Sequence, residues 1–206
     1  MTQEIFLISG YAGSGKDAAG KVYQKLGYTR YAFADMLKIQ CAQKYDFPFE
    51  LTQTQEGKNT VVLSKSKSSV VLSKSKSSVV LSKSKGSSAC KTVRQLLIEE
   101  AALMKELHND PAYWAKLLAK IIKTDQPKKV VITDWRYTAE LANFQEEFRD
   151  SPITTVRIQR SSVVPSEDPS EHELDNYSCN YTIVNDGSLE QFEETLMLSF
   201  QDYGSC

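Results

Sequence analysis

The chain has 206 residues, 41% of them apolar and 25% charged, with a formal net charge of −1. This balance predicts one soluble domain large enough to bury a core, and it excludes collagen-like, disordered and generally nucleic-acid-coating classes. No apolar run approaches the ~18 residues that a membrane span needs.

Met1 to Glu4 carries no basic segment and leads into a strand, so no signal peptide is expected. The first strand is predicted at Glu4–Ser9. It runs into Gly10-Tyr11-Ala12-Gly13-Ser14-Gly15-Lys16-Asp17, which has the spacing G-x-x-x-x-G-K. A helix is predicted from Asp17 to Leu26. Strand, glycine loop and helix in this order form a phosphate-binding loop. The glycines let the backbone curl so that N–H groups converge on an anion. The helix points its positive end at the same anion. Lys16 adds a charge for the β- and γ-phosphates of ATP. Asp17 stands where such loops usually carry Ser or Thr. It is either an oxygen ligand for Mg2+ or an acid at ease in the first turn of a helix.

A second strand is predicted at Tyr28–Tyr31. From Val61 a nine-residue unit, VVLSKSKSS, runs three times to Ser87, with Gly86 replacing one Ser. Its six lysines leave 19 basic residues against 26 acidic ones elsewhere, a formal charge of −7. The unit suits neither helix nor strand, although its Val-Val-Leu cores can pair as short strands. It is read as a surface insert at about 57–90, with a phosphate-seeking basic arm as the alternative.

Thr92 with Gln95 and Ser188 with Gln191 have capping-box spacing. Asp110-Pro111 predicts the start of a helix with Trp114, Leu117, Leu118, Ile121 and Ile122 inward. A strand at Val130–Thr133 ends in Asp134-Trp135-Arg136. Such an acid-ended strand belongs beside the first one, with Asp134 towards Mg2+ and Arg136 at the ligand-binding end of the sheet; a turn or cap is the other role for Asp134. Strands at Thr154–Gln159 and Tyr181–Val184 follow. The last helix aligns Leu189, Phe192, Leu196 and Phe200. The order predicts an α/β fold, a mainly parallel sheet with helices on both faces.

Cys41, Cys90, Cys179 and Cys206 lack metal or redox spacing and are expected as reduced thiols. His108 and His172 are too isolated for a zinc site. Phosphoryl transfer between two anions needs charge cancellation. Lys16, Lys38, Arg94, Arg136, Arg157 and Arg160 are the candidates. Arg94 and Arg136 suit an acceptor phosphate, because a guanidinium grips oxygens in pairs. The polar stretch Ser161–Glu173 reads as a cover that closes over the reaction. The rings of Phe33 and Trp135 either stack on an acceptor base or pack in the core.

These motifs together resemble the deoxynucleoside monophosphate kinase family of tailed phages and large DNA viruses. Ser14-Gly15-Lys16-Asp17 resembles that family's S-G-K-D loop, with Ala18 where a threonine is usual. Phe33-Ala34-Asp35-Met36-Leu37-Lys38 resembles F-A-D-P-L-K. Val93-Arg94-Gln95-Leu96-Leu97, Asp110 with Tyr113-Trp114, Asp134-Trp135-Arg136 and Ser170-Glu171 have counterparts too. Asn185-Asp186-Gly187-Ser188-Leu189-Glu190 matches its N-D-G-S-L-E turn. The resemblance implies one three-layer P-loop nucleoside monophosphate kinase-like domain over 1–206, acting on ATP and a small-molecule acceptor, a (deoxy)nucleoside monophosphate, with Mg2+. ATP would meet Gly10, Gly13, Ser14, Gly15, Lys16, Asp17, Ala18, Asn185 and Gly187. The acceptor would meet Phe33, Lys38, Arg94, Trp135, Arg136 and Glu171. Asp17 and Asp134 would serve the metal. Lys16, Arg94, Arg136, Arg157 and Arg160 would carry catalysis. The implied location is the cytoplasm, the host's for a viral chain, with no membrane or nucleic-acid partner and a homodimer left open. Animal-type phosphomevalonate kinases resemble the chain in the S-G-K-D loop, Leu37-Lys38, Asp134-Trp135-Arg136 and Leu174-Asp175-Asn176. They carry extra basic residues where this chain has Tyr11 and Ala12. A non-catalytic nucleotide- or nucleic-acid-binding protein is the reading from another class.

Overall fold

The computed structural model describes residues 2–63 and 90–201. The repeat lysines and Cys206 lie outside the described residues, and so does the side chain of Phe200. Two compact units divide the chain, Met1–Ala34 with Pro111–Cys206, and Asp35–Asp110.

The first unit is built on a five-stranded parallel sheet. Its strands are β1 (Glu4–Ser9), β2 (Thr29–Tyr31), β5 (Lys129–Ile132), β6 (Ile153–Gln159) and β7 (Tyr181–Val184), in the order β2-β5-β1-β6-β7. The acid-ended strand β5 does pair with β1, Leu7 opposite Ile132. Side chains alternate across a strand, so β1 feeds both faces. Ile5 and Leu7 pack with Val130 and Ile132 against α5 (Tyr113–Asp125) and α6 (Thr138–Glu147). Phe6 and Ile8 pack with Val131, Val156 and Ile158 against α1 (Lys16–Lys25) and α7 (Leu189–Gln201). A sheet buried on both faces reads as continuous apolar runs, as these strands do. The unit is therefore a three-layer α/β fold with the glycine loop at the carboxyl end of its central strand.

Two local expectations shift. Helix α5 starts at Tyr113, two residues beyond the Asp110-Pro111 signal. Its buried stripe is Trp114, Ala115, Leu118, Ala119 and Ile122, while Leu117 and Ile121 are half-buried at its margins. In α7, Phe192 and Leu196 are buried but Leu189 is exposed. The Ser188–Gln191 exchange caps this helix, with Ser188 N donating to Gln191 Oε1 at 2.9 Å and Gln191 N to Ser188 Oγ at 3.3 Å.

In the second unit, α2 (Phe33–Tyr45) continues from the first and is followed by α3 (Gln55–Asn59), β3 (Val61–Leu63), β4 (Cys90–Thr92) and α4 (Val93–Leu107). β3 and β4 pair antiparallel, Val61 opposite Thr92, so the first Val-Val-Leu core is a strand. Thr92 and Gln95 form the expected capping box. Cys41, Ala42, Phe47, Val93 and Leu96 make the core. Beside it Glu100 is 3% exposed. A buried carboxylate needs partners, and Lys44 Nζ at 2.6 Å and Tyr45 Oη at 3.1 Å supply them. Among the described cysteines, Cys41, Cys90 and Cys179 are free. No helix among the described residues is long and apolar enough to cross a membrane.

Candidate active site

The loop from Gly10 to Gly15 is shaped by close approach. Gly10 has φ +146°, and a Cβ there would collide with the Ile158 carbonyl and Ser14 Oγ. Gly15 has φ +110° and opens α1; its Cβ would collide with the amide of Asn185. Ser14 N donates to the Tyr11 carbonyl at 3.1 Å, closing the turn. Lys16, Asp17 and Ala18 start α1, so their amides have no carbonyl of their own helix to bond. Lys16 Nζ donates to the carbonyls of Gly10 and Tyr11 at 2.6 and 2.7 Å. Burial lowers its pKa to about 8, helped by the Arg136 charge, while Glu171, Asp17 and Asp134 pull the other way. Helix-start amides and a partly buried ammonium ion make a cradle that fits a polyphosphate.

Asp134 follows β5 and does a structural job. Its Oδ1 accepts from Phe33 N at 2.7 Å and its Oδ2 from Ala34 N at 2.9 Å, capping the start of α2. Asp17 is exposed in the first turn of α1. Both carboxylates act on Lys16, and an all-oxygen donor set suits Mg2+. Asp134→Ala is expected to lower the melting temperature, since losing a helix cap costs about 0.5–2 kcal/mol. An unchanged thermal melt contradicts the capping role.

Arg136 and Arg157 line one small cleft with Gly10, Trp135, Ser170, Glu171 and Leu174. Arg136 Nη1 donates to Ser170 Oγ at 3.0 Å and lies 3.6 Å from Glu171 Oε1. The Glu171 side chain is 7% exposed, and Oε2 accepts from Ala12 N at 3.4 Å. Ser170 and Glu171 sit on a 3-10 turn, Pro169–Glu171, capped by Asp168. Arg157 is buried on β6 and donates to Asp175 Oδ1 at 2.7 Å. Thus the loop lysine, two arginines and Glu171 meet at the carboxyl end of the sheet.

Other candidates take different places. Arg160 is exposed, and its charge acts on Asp186, which also holds Ser161. Asn185 is buried and braces the loop, its Nδ2 donating to the Ser14 carbonyl at 2.7 Å. Gly187 is exposed in the turn before α7. Ala18 packs against the core cluster of Phe6 and Ile8. Phe33 and Trp135 are core rings: Phe33 meets Phe144 edge-on, and Trp135 is 1% exposed with Nε1 donating to the Tyr137 carbonyl at 2.8 Å. Of the two roles read for these rings, core packing is the one their burial fits. Lys38 and Arg94 belong to the second unit. Lys38 Nζ lies 3.4 Å from Asp35, and Arg94 bonds Gln55 and Asn59. Sequence reasoning gave no role to Tyr11, His172 or Asp175. A phenol inside a phosphate loop was the available signal.

No protein-family model matches the chain, and no curated protein matches it. Solved structures do. TT1252 from Thermus thermophilus is 14% identical over 98% of this chain and 98% of its own, with a TM-score of 0.48. The dephospho-CoA kinase of Campylobacter jejuni is 14% identical over 97% of each chain, with a TM-score of 0.46. The APS kinase CysC of Mycobacterium tuberculosis is 12% identical over 97% of this chain and 98% of its own, with a TM-score of 0.39.

Proposed function

We propose that this protein is a phosphotransferase that moves the γ-phosphate of ATP to a (deoxy)nucleoside 5′-monophosphate. The observation that carries the reading is two adjoining cationic groups at the carboxyl end of one sheet. Lys16 and the loop amides form the first, and Arg136 with Arg157 in the adjoining cleft forms the second. Two phosphates held side by side is what in-line transfer requires, since positioning and charge cancellation supply nearly all of the catalysis. In this reading Lys16 steadies the β- and γ-phosphates, Arg136 and Arg157 orient the acceptor phosphate, and Ser170 and Glu171 line the acceptor cleft against Arg136. Asp17 and Asp134 would hold Mg2+, which offsets phosphate charge when bound. The assignment of Lys38 and Arg94 to the acceptor rests on the sequence and the family resemblance. The 1–206 chain acts as one P-loop kinase domain in the cytoplasm.

Phosphorus NMR on ATP mixed with the four deoxynucleoside monophosphates tests this. The monophosphate signal is expected to fall as ATP is consumed, and conversion of ATP to ADP and inorganic phosphate with the monophosphate signal unchanged contradicts transfer. Deleting 64–87 is expected to leave a cooperative melt and substantial turnover, because β3 and β4 stay in place to close the hairpin and loop length costs little. Loss of the melting transition would make the repeats part of the fold.

A further inference from the structure

The phosphate loop is tied to a segment far along the chain. Tyr11 Oη donates to Asp175 Oδ1 at 2.7 Å. Arg157 Nη2 donates to the same oxygen at 2.7 Å, and its guanidinium lies 5.0 Å from the centre of the Tyr11 ring. Asp175 Oδ2 meets His172 Nδ1 at 2.8 Å. His172 Nε2 meets the Ser166 carbonyl at 2.7 Å. Both imidazole nitrogens therefore face oxygens that only accept. A neutral ring has one N–H and satisfies one of them, whereas the imidazolium satisfies both. The same segment carries Ser170 and Glu171 against Arg136 and Ala12.

We propose that Asp175 is a positioning residue that fixes Arg157 in the cleft and, through protonated His172, clasps the 166–175 segment onto the phosphate loop. The link to catalysis rests on the cleft being the acceptor site. The charges facing His172 are those of Asp175, Glu171 and Asp168, with the Tyr11 ring 6.0 Å away and Arg157 across Asp175. Burial pushes the Asp175 carboxyl up, but hydrogen bonds from Tyr11, His172 and Arg157 outweigh it and hold it below the ordinary value. The Asp175 bond, then the Ser166 carbonyl, raises His172 above its ordinary 6.5. A raised value in the folded state means that the clasp is complete below pH 6.5 and is lost as pH rises through the raised midpoint.

Imidazole NMR on the full chain tests this, since the chain has two histidines. The signal lost in His172→Gln assigns the ring. An imidazolium pattern is expected to dominate still at about pH 6.5, where an unperturbed ring is half neutral. In Asp175→Asn the midpoint should fall back to the ordinary value. Wild-type spectra carry the first result even where that variant fails to fold. An ordinary wild-type midpoint, or one that Asp175→Asn leaves in place, overturns the clasp whether or not any acceptor is phosphorylated. In steady state the acceptor KM should rise as pH passes the His172 midpoint, with the ATP KM level, and His172→Gln should remove the step. Asp175→Asn should raise the acceptor KM about tenfold or more, as for a lost charge-assisted contact. A flat acceptor KM overturns the link to the acceptor. A raised midpoint with no turnover on any acceptor supports the clasp and counts against the kinase reading instead.

Discussion

Lys16→Ala is expected to lower turnover by about 10²–10³-fold or more, the range for removing one preorganised charge from a developing anion. The side chain is well placed for that effect. Its ammonium group is held by the Gly10 and Tyr11 carbonyls, beside the start of α1. Burial and the Arg136 charge make its positive charge costly, with a pKa near 8; a bound polyphosphate would relieve that cost. The fold should survive. Two hydrogen bonds are lost, at about 0.5–1.5 kcal/mol each, against a total stability of about 5–15 kcal/mol. Turnover and thermal melting measured on one preparation check both halves. Near-normal turnover would contradict the role of the loop.

Arg136→Lys is expected to raise the acceptor KM and lower turnover, with ATP affinity little changed. Lysine keeps the charge but loses the paired grip on phosphate oxygens. Losing one charge-assisted contact costs about 1.5–3 kcal/mol, roughly tenfold or more. The guanidinium is only partly committed within the protein. Nη1 reaches Ser170 at 3.0 Å and lies 3.6 Å from Glu171, and the side chain is 38% exposed. It faces the cleft shared with Arg157. Direct ATP binding and steady-state kinetics on this variant decide the assignment. A fall in ATP affinity with an unchanged acceptor constant would place Arg136 on the wrong substrate.

Much of the first unit was legible because local rules and the fold agree there. The alternation of Ile5, Phe6, Leu7 and Ile8 fits a strand buried on both faces, and the glycine spacing fits backbone that approaches Ile158 and Asn185 too closely for a side chain. Asp134 ends a strand beside β1, as its sequence context implied. Its capping of α2 was legible only as an alternative, because the amides of Phe33 and Ala34 lie about a hundred positions away in sequence. The same distance hid the Tyr11–Asp175 bond, which spans 164 positions. Trp135 shows the opposite problem. Beside an arginine at a ligand-binding edge it read equally as a stacking platform or a core ring, and its indole packs edge-on to Tyr177 and is buried. Position along a strand end fixes where a ring starts, and tertiary packing decides which way it turns.

The central claim is that ATP and a (deoxy)nucleoside monophosphate meet between the loop and the arginine pair. A coupled ADP-release assay across the deoxynucleoside monophosphates and phosphomevalonate, with Mg2+ present, tests it most directly. The account predicts acceptor-dependent ADP release with at least one deoxynucleoside monophosphate, well above the release from ATP alone. Release only with phosphomevalonate, or none above the ATP-alone rate with any acceptor, would contradict it.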